Sequence, residues 1–167
     1  EIMEMLKNNQ KSILMASRQV GKTISVSIFI LHYITFNNNK NVMIAADQWK
    51  TVYEILDKIK DIYAELPYFL QPGIMTWQQK GLSFDTDCRI LGQGRSKSGP
   101  IGFSIDLLYI DEFAKIPKNF ITPFWVGTYP TVSSIQNHKI FITSTPEGHN
   151  LFYDLFNKAE ENLPGNK

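Results

Sequence analysis

Four short apolar runs punctuate the chain, and what lies between them sets the reading of the fold. Residues 12–16 (SILMA), 42–46 (VMIAA), 107–110 (LLYI) and 139–143 (KIFIT) read as buried strands. From Gly21 onward, Val26, Phe29, Ile30 and Tyr33 recur at helical spacing, and the polar stretch 36–40 closes that helix. After the second run, Asp47 is expected to cap a long helix. The apolar stripe of that helix is Trp49, Val52, Leu56, Ile59, Ile62, Tyr63 and Leu66, and Pro67 stops it. A last helix is expected over 150–161, with Leu151, Leu155 and Ala159 on one face. Between 71 and 95 the rhythm changes. Pro72-Gly73, Lys80-Gly81 and the Asp85 to Asp87 triplet are turn signals between short strand-like pieces, which predicts a small antiparallel excursion. Buried strands alternating with helices predict an α/β domain with a mainly parallel sheet covered on both faces.

Composition narrows the setting without naming a task. The 167 residues suffice for one domain, 1–167, with a substantial core. No apolar run approaches the roughly 18 residues of a membrane span. The acidic start, residues 1–10, lacks the apolar segment of a secretion signal. Cys88 is the single cysteine and is read as structural, so no internal disulfide is expected. His32, His138 and His149 lie far apart, without the spacing of a zinc site. A net charge of +1 gives no electrostatic footprint of a nucleic-acid binder.

The chemistry gathers at strand ends. After the first strand come Ala16, Ser17, Arg18, Gln19, Val20, Gly21, Lys22 and Thr23. A phosphate-binding loop needs backbone N–H groups around an anion at a helix start, where the helix dipole favours negative charge. Gly21 permits close backbone approach, Lys22 can reach the outer phosphates, and the Thr23 hydroxyl can ligate magnesium. Ala16 stands where such loops usually have their first glycine, so the loop is a variant. Gly-Lys-Thr alone is a weak signal; its place between a buried strand and a helix strengthens it. The third strand delivers Asp111 and Glu112 at its C-terminal end, where open α/β sheets bind ligands. The aspartate can hold the magnesium shell and the glutamate can polarise the attacking water. The fourth strand runs out into Ser144, Thr145 and a Pro-Glu-Gly turn. These hydroxyls could sense a γ-phosphate, or they could form an ordinary polar exit from the strand.

These segments resemble, in the same order, those of the large terminase subunits of tailed bacteriophages. They are residues 17–23, 69–74 (FLQPGI), 109–112 (YIDE) and 143–148 (TSTPEG). The chain is similar to the ATPase domain of that DNA-packaging motor, closest to the myovirus type, over nearly its whole length. The resemblance implies a RecA-like P-loop NTPase fold of the additional-strand, catalytic-glutamate class, acting on ATP with Mg²⁺. It implies ATP contacts from Ser17 through Thr23 and magnesium held through Thr23 and Asp111. It implies Glu112 as catalytic residue, with Lys22 and Arg18 acting on the γ-phosphate, and Ser144 and Thr145 coupling hydrolysis to motion. It further implies double-stranded DNA, a portal protein and a small terminase subunit as partners. The motor would be a ring of identical chains, with no membrane, docked on the procapsid in the cytoplasm of the infected bacterium.

Departures are visible. Many relatives carry Arg-Gly about ten residues before the acidic pair, where this chain has Ile101-Gly102; Arg95 and Lys97 lie nearby. The adenine-contacting glutamine and the nuclease half of the family are expected to lie outside this sequence. The segment 92–99 resembles a second phosphate loop only loosely and is read as a flexible loop. The aromatics Trp49, Trp77, Phe84, Phe124 and Trp125 are scattered in apolar patterns and are expected in the core rather than stacked on DNA. Two other functions fit the motifs. A helicase or remodelling ATPase of related fold would require a second RecA-like domain. A non-hydrolysing nucleotide-binding scaffold would have no use for Glu112.

Overall fold

A computed structural model describes residues 2–17, 19–95 and 104–161. Among these residues, seven strands form one sheet in the order β1-β7-β6-β2-β5-β4-β3. They are β1 (Lys11–Met15), β2 (Asn41–Ala46), β3 (Ile74–Gln78), β4 (Gly81–Phe84), β5 (Arg89–Gln93), β6 (Leu107–Asp111) and β7 (Lys139–Ser144). β1, β7, β6, β2 and β5 pair in parallel. β4 and β3 add an antiparallel hairpin at the β5 edge. The excursion expected between 71 and 95 is therefore part of the main sheet, because β5 lies parallel to β2.

Among the described residues, five α-helices cover the sheet: α1 (Ile2–Asn8), α2 (Lys22–Thr35), α3 (Trp49–Glu65), α4 (Lys118–Ser133) and α5 (Leu151–Glu161). Alternate residues of each strand point to opposite faces. Val42, Ile44 and Ala46 accordingly share one core with Tyr109 and the buried faces of α1, α2 and α3. Met43 and Ala45 share the other with Leu108, Ile110 and residues of α4 and α5. The stripe expected on α3 is realised: Val52, Leu56 and Ile59 are buried, together with Ile55.

Three expectations change. The residue flanking α3 is Gln48, with no side-chain cap bond. Asp47 does not cap the helix because its carboxylate accepts both Nε and Nη2 of Arg95, each at 2.8 Å. That guanidinium also lies 5.3 Å from the Phe120 ring centroid. In α5, the buried residue is Phe152, while Ala159 is exposed. Of the five aromatics, Phe84 and Phe124 are buried and Trp49 and Trp125 pack at the margins of the cores, but Trp77 is 47% exposed at the edge strand. Cys88 is buried, and its thiol donates to the Asn37 carbonyl at 3.2 Å. Gly92 and Gln93 of the segment 92–99 belong to β5, and 96–99 lie outside the described residues, as do Lys97 and Ile101-Gly102. Among the described residues, no helix is long and apolar enough to cross a membrane.

Candidate nucleotide-binding site

In a parallel sheet every strand ends on the same side, so the loops after β1, β6 and β7 meet there. β7 lies between the other two. Its last residue, Ser144, is level with Met15, and its carbonyl accepts the Ala16 amide at 3.2 Å. On its other side, Ile142 is level with Ile110. Continuing that register brings Thr143 beside Asp111.

Among the described residues of the loop after β1, Gln19 at φ 64° and Gly21 at φ 78° are left-handed on the way into α2. Such turns direct successive N–H groups towards one concavity. Nothing crowds Gly21, but its φ favours a residue without Cβ. Ser17, Gln19, Val20 and Gly21 are exposed, Lys22 is buried and Thr23 half-buried. The Lys22 ammonium folds back and donates to the Ala16 carbonyl at 2.9 Å, closing the loop on itself. Arg18 lies outside the described residues.

Across β7, the acidic pair is held by β7 itself. The Thr143 hydroxyl donates to Asp111 Oδ1 at 2.7 Å, and the Tyr109 hydroxyl lies 3.1 Å from Thr143 Oγ1. Burial pushes the Asp111 carboxyl above its ordinary value, and the opposing hydrogen bonds from Thr143 and Tyr109 do not offset it. Burial likewise raises the Tyr109 phenol well above its usual value. Glu112 sits just past the strand in the left-handed region, at φ 49°. Its Oε2 accepts the Thr145 hydroxyl at 2.9 Å and the Thr145 amide at 3.3 Å, with the Lys115 ammonium 3.3 Å away. Burial acts to raise this carboxyl too, but the Thr145 hydrogen bonds and the Lys115 charge bring it below its ordinary value. The Ala114 amide donates to Ser144 Oγ at 3.0 Å.

Asp111, Glu112, Ser144 and Thr145 thus fall at the ends of the adjacent strands β6 and β7, and Lys22 and Thr23 open the helix that follows β1. Sequence reasoning missed Thr143, Tyr109 and Lys115. Thr143 was visible as the end of an apolar run and the first residue of the segment 143–148, without a role of its own, and Lys115 only as a cation three residues after Glu112. The residues suit a magnesium–nucleotide ligand. Asp111 is a buried carboxylate with hydroxyl partners and no cation at hydrogen-bonding range among the described residues. Magnesium is typically held by one or two carboxylates plus substrate phosphates rather than by a full protein cage. No group of three or more His, Cys, Asp or Glu residues suited to a metal occurs among the described residues. A separate apolar groove of about 500 Å³, lined by Met5, Ile13, Trp125, Tyr129 and Phe156, lies at the β1 edge, away from this site.

Solved structures share the architecture. The Thermus Phage P74-26 large terminase ATPase domain matches with a TM-score of 0.71 and 18% identity over 93% of this chain and 68% of that one. A variant of that domain matches at TM-score 0.70, with 65% of its chain covered. The HK97 bacteriophage large terminase matches at TM-score 0.77 and 16% identity, over 95% of this chain and 34% of that one. The large terminase of a thermophilic bacteriophage in complex with ADP matches at TM-score 0.70 and 16% identity, over 93% of this chain and 39% of that one. At such identities the likeness establishes the fold, RecA-like and mainly parallel. The family described as terminase large subunit, T4likevirus-type, N-terminal, matches residues 13–164. That match takes in the loop after β1, the acidic pair and the end of β7, and the chain belongs to this family of bacteriophage large terminase subunits.

Proposed function

We propose that this domain binds Mg·ATP at the ends of β1, β7 and β6, hydrolyses it, and drives double-stranded DNA into a procapsid. The observation that carries the reading is that Thr143 and Thr145, neighbours on one strand end, bind Asp111 and Glu112 respectively. A solvated acidic pair on a strand end would need no such support.

Each residue has a part. The amides from Ser17 to Thr23 cradle the phosphates, and Lys22 exchanges the Ala16 carbonyl for phosphate oxygen. Arg18 contacts the γ-phosphate from within the same subunit. Thr23 and Asp111 hold magnesium, which supplies charge neutralisation at the phosphates when bound. Glu112, ionised at neutral pH, accepts a proton from the attacking water. Ser144 and Thr145 link the acidic pair to the end of β1 and so couple the γ-phosphate to movement of the sheet end. The ring of identical chains, the portal protein and the small subunit are the partners this role requires, and the host cytoplasm is where it operates.

The test is ATP hydrolysis with and without double-stranded DNA, beside a strand-separation assay. Mg²⁺-dependent hydrolysis stimulated by duplex DNA, without unwinding, supports the motor. Unwinding would favour a helicase. ATP binding without turnover under any condition would leave a scaffold.

A further inference from the structure

Glu112 is held asymmetrically. Among the described residues, Oε2 accepts the Thr145 amide and the Thr145 hydroxyl, and the Lys115 ammonium forms an ion pair with the same oxygen at 3.3 Å. Oε1 accepts from no side chain or amide among the described residues. We propose that Lys115 is a positioning residue: with Thr145 it holds Oε2 in place and so leaves Oε1 as the oxygen that takes the proton from water. The inference rests on Glu112 being the base.

The backbone around Lys115 fits this task. Glu112 is left-handed and opens the 3₁₀ turn Phe113–Lys115. The Lys115 amide donates to the Glu112 carbonyl at 2.9 Å, which sets the two side chains on the same side of the turn. The turn is pinned independently of either side chain. Phe113 is buried between Trp125 and Phe152. The Ala114 amide is held by Ser144 Oγ and its carbonyl accepts the Asn150 side-chain amide at 3.2 Å. Lys115 is therefore presented from a fixed platform.

A carboxylate turns easily about its last torsion, since that well is broad and two-fold. Thr145 alone fixes Oε2 from one side. The Lys115 charge, at the opposite end of the turn, opposes the remaining rotation and keeps one oxygen directed outward. The Lys115 and Glu112 side chains are 31% and 20% exposed, so their attraction contributes little to folding. Its consequence belongs in the rate of the chemical step.

The experiment uses the full-length protein and compares Lys115→Met, Lys115→Arg, Glu112→Gln and the double variant Lys115→Met/Glu112→Gln. The readouts are kcat, nucleotide Kd and Tm. Lys115→Met should lower kcat about tenfold, part of the roughly 10²–10⁴-fold that a positioned base contributes. Kd should stay within about twofold and Tm should not move. Lys115→Arg should recover most of the rate. In the Glu112→Gln background the second substitution should add nothing, since its effect passes through that carboxylate. Wild-type kcat in Lys115→Met, beside a slow Glu112→Gln, overturns the positioning role and leaves the base assignment standing. A rise in Kd with kcat unchanged makes Lys115 a phosphate ligand and also overturns it. Wild-type turnover by Glu112→Gln overturns the base assignment and this inference together.

Discussion

The Thr143 hydroxyl donates to Asp111 Oδ1 at 2.7 Å, across the seam between β7 and β6. Both residues are buried, Thr143 at 0% exposure. Together with the Glu112 amide, which donates to the same oxygen at 3.0 Å, this bond aims the carboxylate proposed to hold magnesium, and it is supplied by the strand whose next residues, Ser144 and Thr145, form the proposed coupling segment.

Thr143→Val keeps the shape and removes the donor. Groups that orient a metal ligand typically govern about 10–100-fold in metal affinity. Half-saturating Mg²⁺ for ATP hydrolysis should rise by about that factor in Thr143→Val, while ATP binding without metal stays unchanged. An unaltered Mg²⁺ titration would show that Asp111 does not depend on this bond.

Asp111 should destabilise the metal-free fold. Its carboxyl is raised above the ordinary value, so between that value and the raised one the folded state binds more protons than the unfolded state. Stability attributable to Asp111 therefore falls as pH rises through that window, and at neutral pH the ionised group remains a cost. Glu112, held below its ordinary value, acts oppositely: its contribution is present at neutral pH and is lost as pH falls through its folded value. In chelator, Asp111→Asn should raise Tm at pH 7 by a few degrees, at about 2–4 °C per kcal/mol for a chain of this size. It should also remove the gain that the wild type shows on acidification through Asp111's window. A lower Tm in Asp111→Asn would contradict this.

The close approach of α3 to β5 offers a test of the fold. A Cβ on Gly92 would come 2.5 Å from Val52 Cγ1 and 3.2 Å from both Leu56 Cδ1 and the Lys80 carbonyl. Overpacking of this kind costs about 1–3 kcal/mol. Gly92→Ala should lower Tm measurably in thermal melts, whereas an unchanged Tm would mean that α3 does not press on β5 as described.

Much of this was legible in local pattern. The four apolar runs became β1, β2, β6 and β7 within a residue of the expected ends; β2, β6 and β7 are buried as expected, because strands buried on both faces carry their own signal, whereas β1 lies at the sheet edge with no residue fully buried. Helix α4 was not legible. Ile121, Phe124, Thr128 and Val132 are buried at helical spacing, but Pro123 and Pro130 lie inside the helix and read as breakers. The Asp47 cap failed because its competitor, Arg95, is distant in sequence and adjacent only once β5 joins β2. The roles of Thr143 and Tyr109 were not legible for the same reason: their link to Asp111 exists only because β7 inserts between β1 and β6, and no local pattern encodes strand order.

Coupling can be separated from binding. Ser144 Oγ fixes the turn after Glu112, and Thr145 fixes the carboxylate itself. With both changed to alanine, the full-length protein should bind ATP within about tenfold of wild type, since neither residue belongs to the phosphate cradle. DNA translocation should be abolished. Normal packaging by that variant would reduce the segment to a structural role.

The most direct measurement is single-turnover ATP hydrolysis by Glu112→Gln, beside its nucleotide affinity. Glutamine preserves an oxygen for Thr145 but cannot take a proton from water. ATP affinity should stay close to wild type and the hydrolysis rate should fall by about 2–4 orders of magnitude, the scale of a positioned general base. Hydrolysis at the wild-type rate would contradict Glu112 as the base.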